Sequence, residues 1–314
     1  AFGVDLNTLS DNNANGDGQH PFFVAFDRIS HLIYGRGADI FYPIKRKLGI
    51  GSEKFLSQCL QTLDDFAMDF IAERRINIEK GIHIPTSDYH RAGKGDNEEG
   101  NFDILSKYIE YAEKDNEDIS DRDLRDVVVN IMFAGRDTTA YALSWAFYEL
   151  GRNPIVKEKL IAEVKSICRT GKDEDFSFDN MNKLKYAHCV ILEVMRLHPT
   201  VPENIRYAVK SDTLPDGTRV PQGAGVSCSI YTMGRSEERW GKDANEFKPE
   251  RFMGGKEPSP FLFAAFHAGP RMCLGKPLAF MNMKLVLSVL LSSGIEFNDR
   301  IGHSGDYNYA ITMS

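Results

Sequence analysis

The chain is poor in cysteine and tryptophan, carries no excess of positive charge and has no long apolar run. Its five cysteines, Cys59, Cys168, Cys189, Cys228 and Cys273, are dispersed and odd in number, and none forms a Cys-x-x-Cys pair. That excludes a disulfide framework and a paired-cysteine redox motif, and it points to reduced thiols in a cytosolic environment. A membrane-spanning helix needs about 20 uninterrupted apolar residues. The best window, Pro277 to Ile295, is interrupted by Lys284 and by Asn and Ser residues. With 38 Lys and Arg against 45 Asp and Glu, the net charge is −7, so a broad grip on nucleic-acid phosphates is not expected. The first residues lack the basic-then-apolar pattern of a signal peptide. What the chain does have is a folding composition, 42% hydrophobic and 26% charged over 314 residues, enough to bury a sizeable core.

Apolar periodicity predicts helices over Pro21 to Tyr34, Glu53 to Arg75 and Phe102 to Lys114. A long helix follows from about Ser120 to Arg152, opened by a Ser120/Asp123 capping box and closed at Gly151 and Pro154. Within it, Val127 to Gly135 carries no charge, which predicts burial all round. Asn153 and Pro154 suit the cap and first position of a next helix, and Leu184 to Leu197 forms another, stopping at His198-Pro199. Tyr207 to Ile230 reads as short strands broken by Pro215-Asp216-Gly217 and Pro221-Gln222-Gly223 turns. Pro249 to Pro270 is a Pro/Phe/Gly-rich loop before a last helix, Leu278 to Leu291. Ser10 to Gln19 and His90 to Gly100 read as surface loops, and Tyr307 to Ser314 as a strand. The fold class is mainly α with small β-sheet pieces.

The most informative stretch is Phe266-His267-Ala268-Gly269-Pro270-Arg271-Met272-Cys273-Leu274-Gly275, just before the last helix. A cysteine at a helix start lies near unpaired backbone N–H groups, and Arg271 adds a cation; both favour the thiolate. Gly269 and Gly275 leave room for a close approach. The plain alternative is a buried cysteine in a Gly/Pro loop. Zinc fits poorly, because no second cysteine lies at metal-finger spacing, and no papain-like signature is present.

The Phe-x-x-Gly-x-Arg-x-Cys-x-Gly segment resembles the haem-binding loop of the cytochrome P-450 family at Phe266, Gly269, Arg271, Cys273 and Gly275. The resemblance implies a cytochrome P-450 fold, its C-terminal majority, in which Cys273 is the proximal ligand of haem b iron and Arg271 pairs with a propionate. Thiolate ligation favours O–O cleavage by electron donation. Three further segments resemble family motifs in the same order. Glu193 and Arg196, three apart on one helix face, and Arg251 in Lys248-Pro249-Glu250-Arg251-Phe252 resemble the structural Glu/Arg/Arg triad; taken alone the first pair would be a weak solvated one. Ala134-Gly135-Arg136-Asp137-Thr138-Thr139 resembles the oxygen-binding groove, implying catalytic roles for Thr138, which bonds the oxygen, and Asp137, which relays protons. The plain alternative there is a threonine bonding back to its own helix. Leu197 to Arg206 resembles the segment over the haem edge, with Arg206 as a second propionate contact and Ala134 beside the cofactor. His198 reads as packing or capping.

The resemblance runs over essentially the whole chain and implies one haem-thiolate oxygenase domain, 1–314, partial, with the N-terminal lobe and the final hairpin strand lying outside it. The two tryptophans, Trp145 and Trp240, do not match the family's haem-contacting Trp. The implied activity is a monooxygenase inserting one atom of O2 into an apolar substrate. Motif texture from Met233-Gly234-Arg235 through Trp240 to Phe252 is most similar to fatty-acid and alkane hydroxylases, with Phe133, Ala134 and Val201 on the substrate side. Electrons would come from NADPH through a flavoprotein reductase, for which Lys276 and Lys284 are candidate docking cations or else ordinary solvated charge. The implied location is the cytosolic face of the endoplasmic reticulum membrane, reached only by the full-length protein. The alternatives are a haem-thiolate enzyme that rearranges hydroperoxides and a non-catalytic haem-binding fragment.

Overall fold

A computed structural model describes residues 21–80, 104–114, 119–255, 257–295 and 312. The chain divides into two compact units, Ala1–Ala134 and Gly135–Ser314. The loops expected at Ser10 to Gln19 and His90 to Gly100 lie outside the described residues, as does all of Tyr307 to Ser314 but one residue.

In the first unit, α1 (Pro21–Gly35) packs on α3 (Ser52–Glu79) because Phe22, Phe26 and Ile29 recur on one face and meet Leu56, Cys59 and Leu63. Further along α3, Ala67, Phe70 and Ile71 join Leu105 and Ile109 of α4 (Ile104–Lys114) and Leu124 and Val128 of α5 (Asp121–Arg152). The sequence does not predict α2 (Tyr42–Leu48), whose seven residues are too short for a period. Pro43 starts it and Gly49, at φ 62°, ends it in the left-handed conformation.

Helix α5 starts on the predicted capping box: the Asp123 N–H donates to Ser120 Oγ at 3.2 Å, and the Ser120 N–H to Asp123 Oδ2 at 3.3 Å. All-round burial of Val127 to Gly135 is not observed. Leu124 and Val128 are buried, but Asn130, Ala134 and Gly135 are exposed. Lack of charge records what a helix face avoids, and an apolar face open to a space is as uncharged as one packed on protein.

The second unit is built around α8 (Lys185–Leu197), whose residues Val190 to Leu197 are all buried. It packs with α6 (Pro154–Ile167), α7 (Phe178–Lys183) and α11 (Lys276–Ser292) around Leu160, Val164, Met181, Leu184, Leu287 and Leu291. No local side chain caps α8. Instead the Glu163 carboxylate of α6 accepts the N–H groups of Lys185, Tyr186 and Ala187 at 2.7–2.9 Å. Asn153 likewise departs from its predicted capping role: its amide donates backwards to the Glu149 carbonyl and carboxylate at 2.8 and 3.0 Å.

Strand β1 (Glu203–Tyr207) begins before the predicted boundary and pairs antiparallel with β4 (Gly225–Ser229), Ile205 opposite Ser227. Between them, β2 (Asp212–Thr213) and β3 (Arg219–Val220) form a second two-stranded ladder across the predicted Gly217 turn. Short helices α9 (Ile230–Gly234) and α10 (Glu237–Trp240) and several single turns then lead to α11. The mainly α class with small β pieces is observed.

Candidate functional site

Two constellations in the second unit hold most of the predicted site residues. The first is a buried charge clamp. Glu193 and Arg196 have side chains fully shielded from solvent. The Arg196 guanidinium donates in parallel to both Glu193 oxygens, each at 2.7 Å, and spends its remaining N–H groups on the carbonyls of Gly234, Ala244 and Glu246. Glu193 Oε1 also accepts the Lys248 N–H at 2.8 Å and Arg251 Nε at 3.1 Å. The Trp240 ring lies 5.3 Å from the Arg196 charge. This is no weak surface pair; all five N–H groups of the buried Arg196 guanidinium have partners. Asp243, which lies within the Trp240 to Phe252 pattern but has no role assigned to it there, is a fourth member. It accepts Arg251 Nη1 at 2.7 Å and Lys248 Nζ at 3.0 Å, and these two cations hold its carboxyl down at about 2.

Close packing fixes the clamp's neighbour Gly234. A Cβ there would lie 2.0 Å from the Arg196 carbonyl oxygen, so no other residue fits without displacing the backbone.

The second constellation is the cysteine loop. Phe266 is buried and packs on Phe280 of α11 with ring centroids 5.4 Å apart. The Cys273 N–H donates to the Phe266 carbonyl at 2.9 Å, closing the loop on itself. His267 within it has φ 61° and ψ −176°, a conformation otherwise reserved for glycine, and Gly269 follows at φ 74°. Arg271 and Cys273 are exposed and make no ion pair among the described residues. Cys273 stands two residues before Gly275, the cap of α11. Burial, and then the nearby Arg206 charge, lower the His267 pKa, which puts the β1 arginine within electrostatic reach of the loop.

The remaining predicted residues are spread along neighbouring elements. Arg206 is exposed on β1, and its guanidinium bonds to Asn204 and to the Ile205 carbonyl. Asp137 and Thr138 are half-buried on α5, Asp137 paired with Arg136 at 3.3 Å. Val201 is half-buried before β1. Phe133 and Ala134 belong to the first unit, where Phe133 stacks on Phe26 at 4.4 Å and Ala134 is exposed. Of the two candidate docking lysines, Lys276 pairs with Glu257, whereas Lys284 is buried and donates to the Met181 carbonyl at 3.1 Å. Lys284 is therefore a core residue: its long stem fills apolar space on α11 and its ammonium ends on a carbonyl.

His198 has more partners than a packing residue needs. It is buried, its Nε2 lies 2.7 Å from Glu149 Oε1, and the Trp145 ring stacks on it at 4.3 Å and 3°. The pair ties the end of α5 to the segment that becomes β1. Two positions 49 residues apart in sequence gave no signal of this.

The family model for cytochrome P-450 matches residues 1–293. The chain belongs to the cytochrome P-450 family. It is 38% identical to cytochrome P-450 704C1 of Pinus taeda, over 92% of this chain and 57% of that protein. It is 34% identical to cytochrome P-450 704B1 of Arabidopsis thaliana, over 92% of this chain and 59% of that protein. With cytochrome P-450 86B1 of Arabidopsis thaliana it shares 32% identity over 100% of this chain and 55% of that protein. The chain thus spans a little over half the length of these relatives.

The cytochrome P-450 family uses haem iron with electrons from a reductase. The residues present fit that group. Cys273 offers an exposed sulfur and Arg271 an exposed guanidinium without a carboxylate partner among the described residues. A Cβ at Gly135 or Gly269 would meet nothing within 4 Å, leaving both positions open. An apolar ring bearing carboxylates and bound through sulfur needs such open glycines, a thiol and cations.

Proposed function

We propose that this chain is the greater part of a single haem-thiolate monooxygenase domain that hydroxylates an apolar substrate, of the fatty-acid type that its motif texture resembles. The observation that carries this reading is the contrast at Cys273: a thiol held at the end of a braced, strained loop, yet left exposed and unpaired. Bound there, haem iron supplies the activation of O2 and the insertion of one oxygen atom into a C–H bond.

The chain's own residues have the remaining tasks. Cys273 provides the sulfur ligand, and Phe266 packs beside the loop that carries it. Arg271 and Arg206 hold the carboxylates of the cofactor through charge-assisted bonds. On α5, the Thr138 hydroxyl and the Asp137 carboxylate hold a proton and pass it towards the reacting oxygen, and Gly135 leaves the space. Val201 lends an apolar surface to the substrate. Glu193, Arg196 and Arg251 make no chemical contribution; they keep the meander, and hence the cysteine loop, in place. Two electrons come from NADPH through a flavoprotein reductase. The full-length protein is placed on the cytosolic face of the endoplasmic reticulum; among the described residues no helix is long and apolar enough to cross a membrane.

The test is the absorption spectrum of the haem-loaded protein, reduced and bound to carbon monoxide. A thiolate-type Soret band that disappears in Cys273→Ala supports the reading. A band unchanged by that substitution removes Cys273 as the ligand.

A further inference from the structure

On α5, Thr138, Ala142, Trp145 and Glu149 follow one another at helical steps of four, three and four, so they share one face of the helix. Thr138 and Glu149 stand about three turns, or about 16 Å, apart along the axis. At the Glu149 end this face holds His198. The Trp145 ring lies 4.3 Å from the imidazole and 3° from parallel, and Glu149 Oε1 accepts the Nε2–H at 2.7 Å, because a carboxylate only accepts. The Asn153 amide donates to the other carboxylate oxygen at 3.0 Å, so the Glu149 side chain is held on both sides.

His198 opens the segment that ends at Pro202, and Pro199 and Pro202 stiffen it by fixing their own φ angles. Both flanks are pinned within the second unit. The Leu197 carbonyl accepts a bond from Arg235 Nη1, and the Pro202 carbonyl accepts the N–H groups of Ile230 and Tyr231 at 2.8 and 3.2 Å. Between the pins Thr200 is buried and Val201 half-buried, and β1 with Arg206 continues directly. The segment is a short strut, fastened to α9 and its flank near both ends and to α5 through His198.

A buried Glu–His pair is a costly way to fill space, since apolar side chains of similar volume often serve stability as well or better. What a hydrogen bond and a stacked ring add is direction. Apolar contacts alone let a helix roll or slide on its neighbour, whereas a short bond together with a parallel stack fixes both the rotation of α5 and its offset from the strut.

We infer that Glu149, Trp145 and His198 are positioning residues, which fix the rotation of α5 against the Val201 strut and thereby set the direction of the Thr138 hydroxyl relative to the apolar wall offered to the substrate. This rests on the monooxygenase reading above and extends it to residues outside the site itself.

The experiment reads the haem-loaded protein, well below its melting transition, in two ways: the infrared stretch of carbon monoxide bound to the reduced form, which senses the groups facing it from α5, and a titration with dodecanoic acid followed by the shift of the ferric Soret band. His198→Leu keeps the volume and loses the bond. It shifts or splits the carbon monoxide stretch and weakens dodecanoic acid about fivefold while the thiolate band is kept. His198→Gln, whose amide can still donate to Glu149, restores both readings. A His198→Leu protein with the parent's stretch and the parent's affinity overturns the inference and leaves the oxygenase reading intact. A parent without a thiolate band removes both. Should His198→Leu fail to retain haem, Glu149→Asp decides by the same two readings, because it keeps the charge and withdraws it from His198 by one methylene; unchanged values there overturn the inference.

Discussion

The charge clamp and the cysteine loop belong to the same compact unit and are opposites in physics. In the clamp, Glu193, Arg196, Arg251 and Asp243 satisfy one another and the surrounding carbonyls. In the loop, the backbone is fixed by the Cys273-to-Phe266 hydrogen bond, while the Cys273 sulfur and the Arg271 guanidinium are left to solvent. Groups that hold the fold have spent their bonding capacity internally, and groups kept for a ligand have not. The contrast predicts which substitutions damage stability and which damage only cofactor binding.

The sharpest way to break this comparison is to remove one member from each side. Glu193→Ala leaves the buried Arg196 guanidinium without its carboxylate, and breaking a buried pair costs about 3–5 kcal/mol. A urea titration should show that loss whether or not haem is present. Cys273→Ala should change apo-protein stability by no more than about 0.5 kcal/mol, since the side chain is exposed and unpaired, while eliminating the thiolate Soret band. Equal destabilisation by the two would end the distinction.

A smaller effect separates two glycines. Gly234→Ala drives a Cβ into the Arg196 carbonyl and should cost about 1–3 kcal/mol by overpacking. Gly135→Ala sits mid-helix with nothing within 4 Å of the new Cβ, so the apo-protein should gain about 0.5–1 kcal/mol from helix propensity. The same methyl should weaken haem retention, measured as the rate of haem transfer to apomyoglobin. A Gly135→Ala protein that is more stable and holds haem equally well would show that the open α5 face is not reserved for the cofactor.

The comparison also explains what was legible in the sequence. Helices such as α1, α5 and α8 were readable because their apolar periods are local, as is the Ser120/Asp123 capping box of α5, and the cysteine loop because its residue types are improbable together. Helix α2 was not, being too short to show a period. Asp243, Glu163 and the Glu149–His198 pair were not either, since an acidic residue looks the same in sequence whether it faces water or three backbone N–H groups. The burial predicted for Val127 to Gly135 failed for a related reason: composition reports polarity, and only the packed chain reports what covers a face.

The mildest test uses His198, a buried titratable group that belongs to neither constellation. Burial lowers its pKa, outweighing the Glu149 carboxylate that favours the proton; the Arg235 and Arg196 charges push in the same direction as burial. The folded state therefore keeps the imidazole neutral at pH values where the unfolded chain, titrating near about 6.5, already binds a proton. The stabilisation is fully present above that range and is lost as pH falls through it towards the lower folded-state pKa, each unit of pKa difference being worth about 1.4 kcal/mol. Urea midpoints measured from pH 8 to pH 5, a range of about three units around the histidine value, should fall for the parent and fall less steeply for His198→Gln, whose amide can still meet Glu149. The slope should shrink without vanishing, because burial lowers His188 and His267 as well. Parallel slopes for parent and variant would mean that the tie between α5 and the start of β1 does not depend on the charge state of His198.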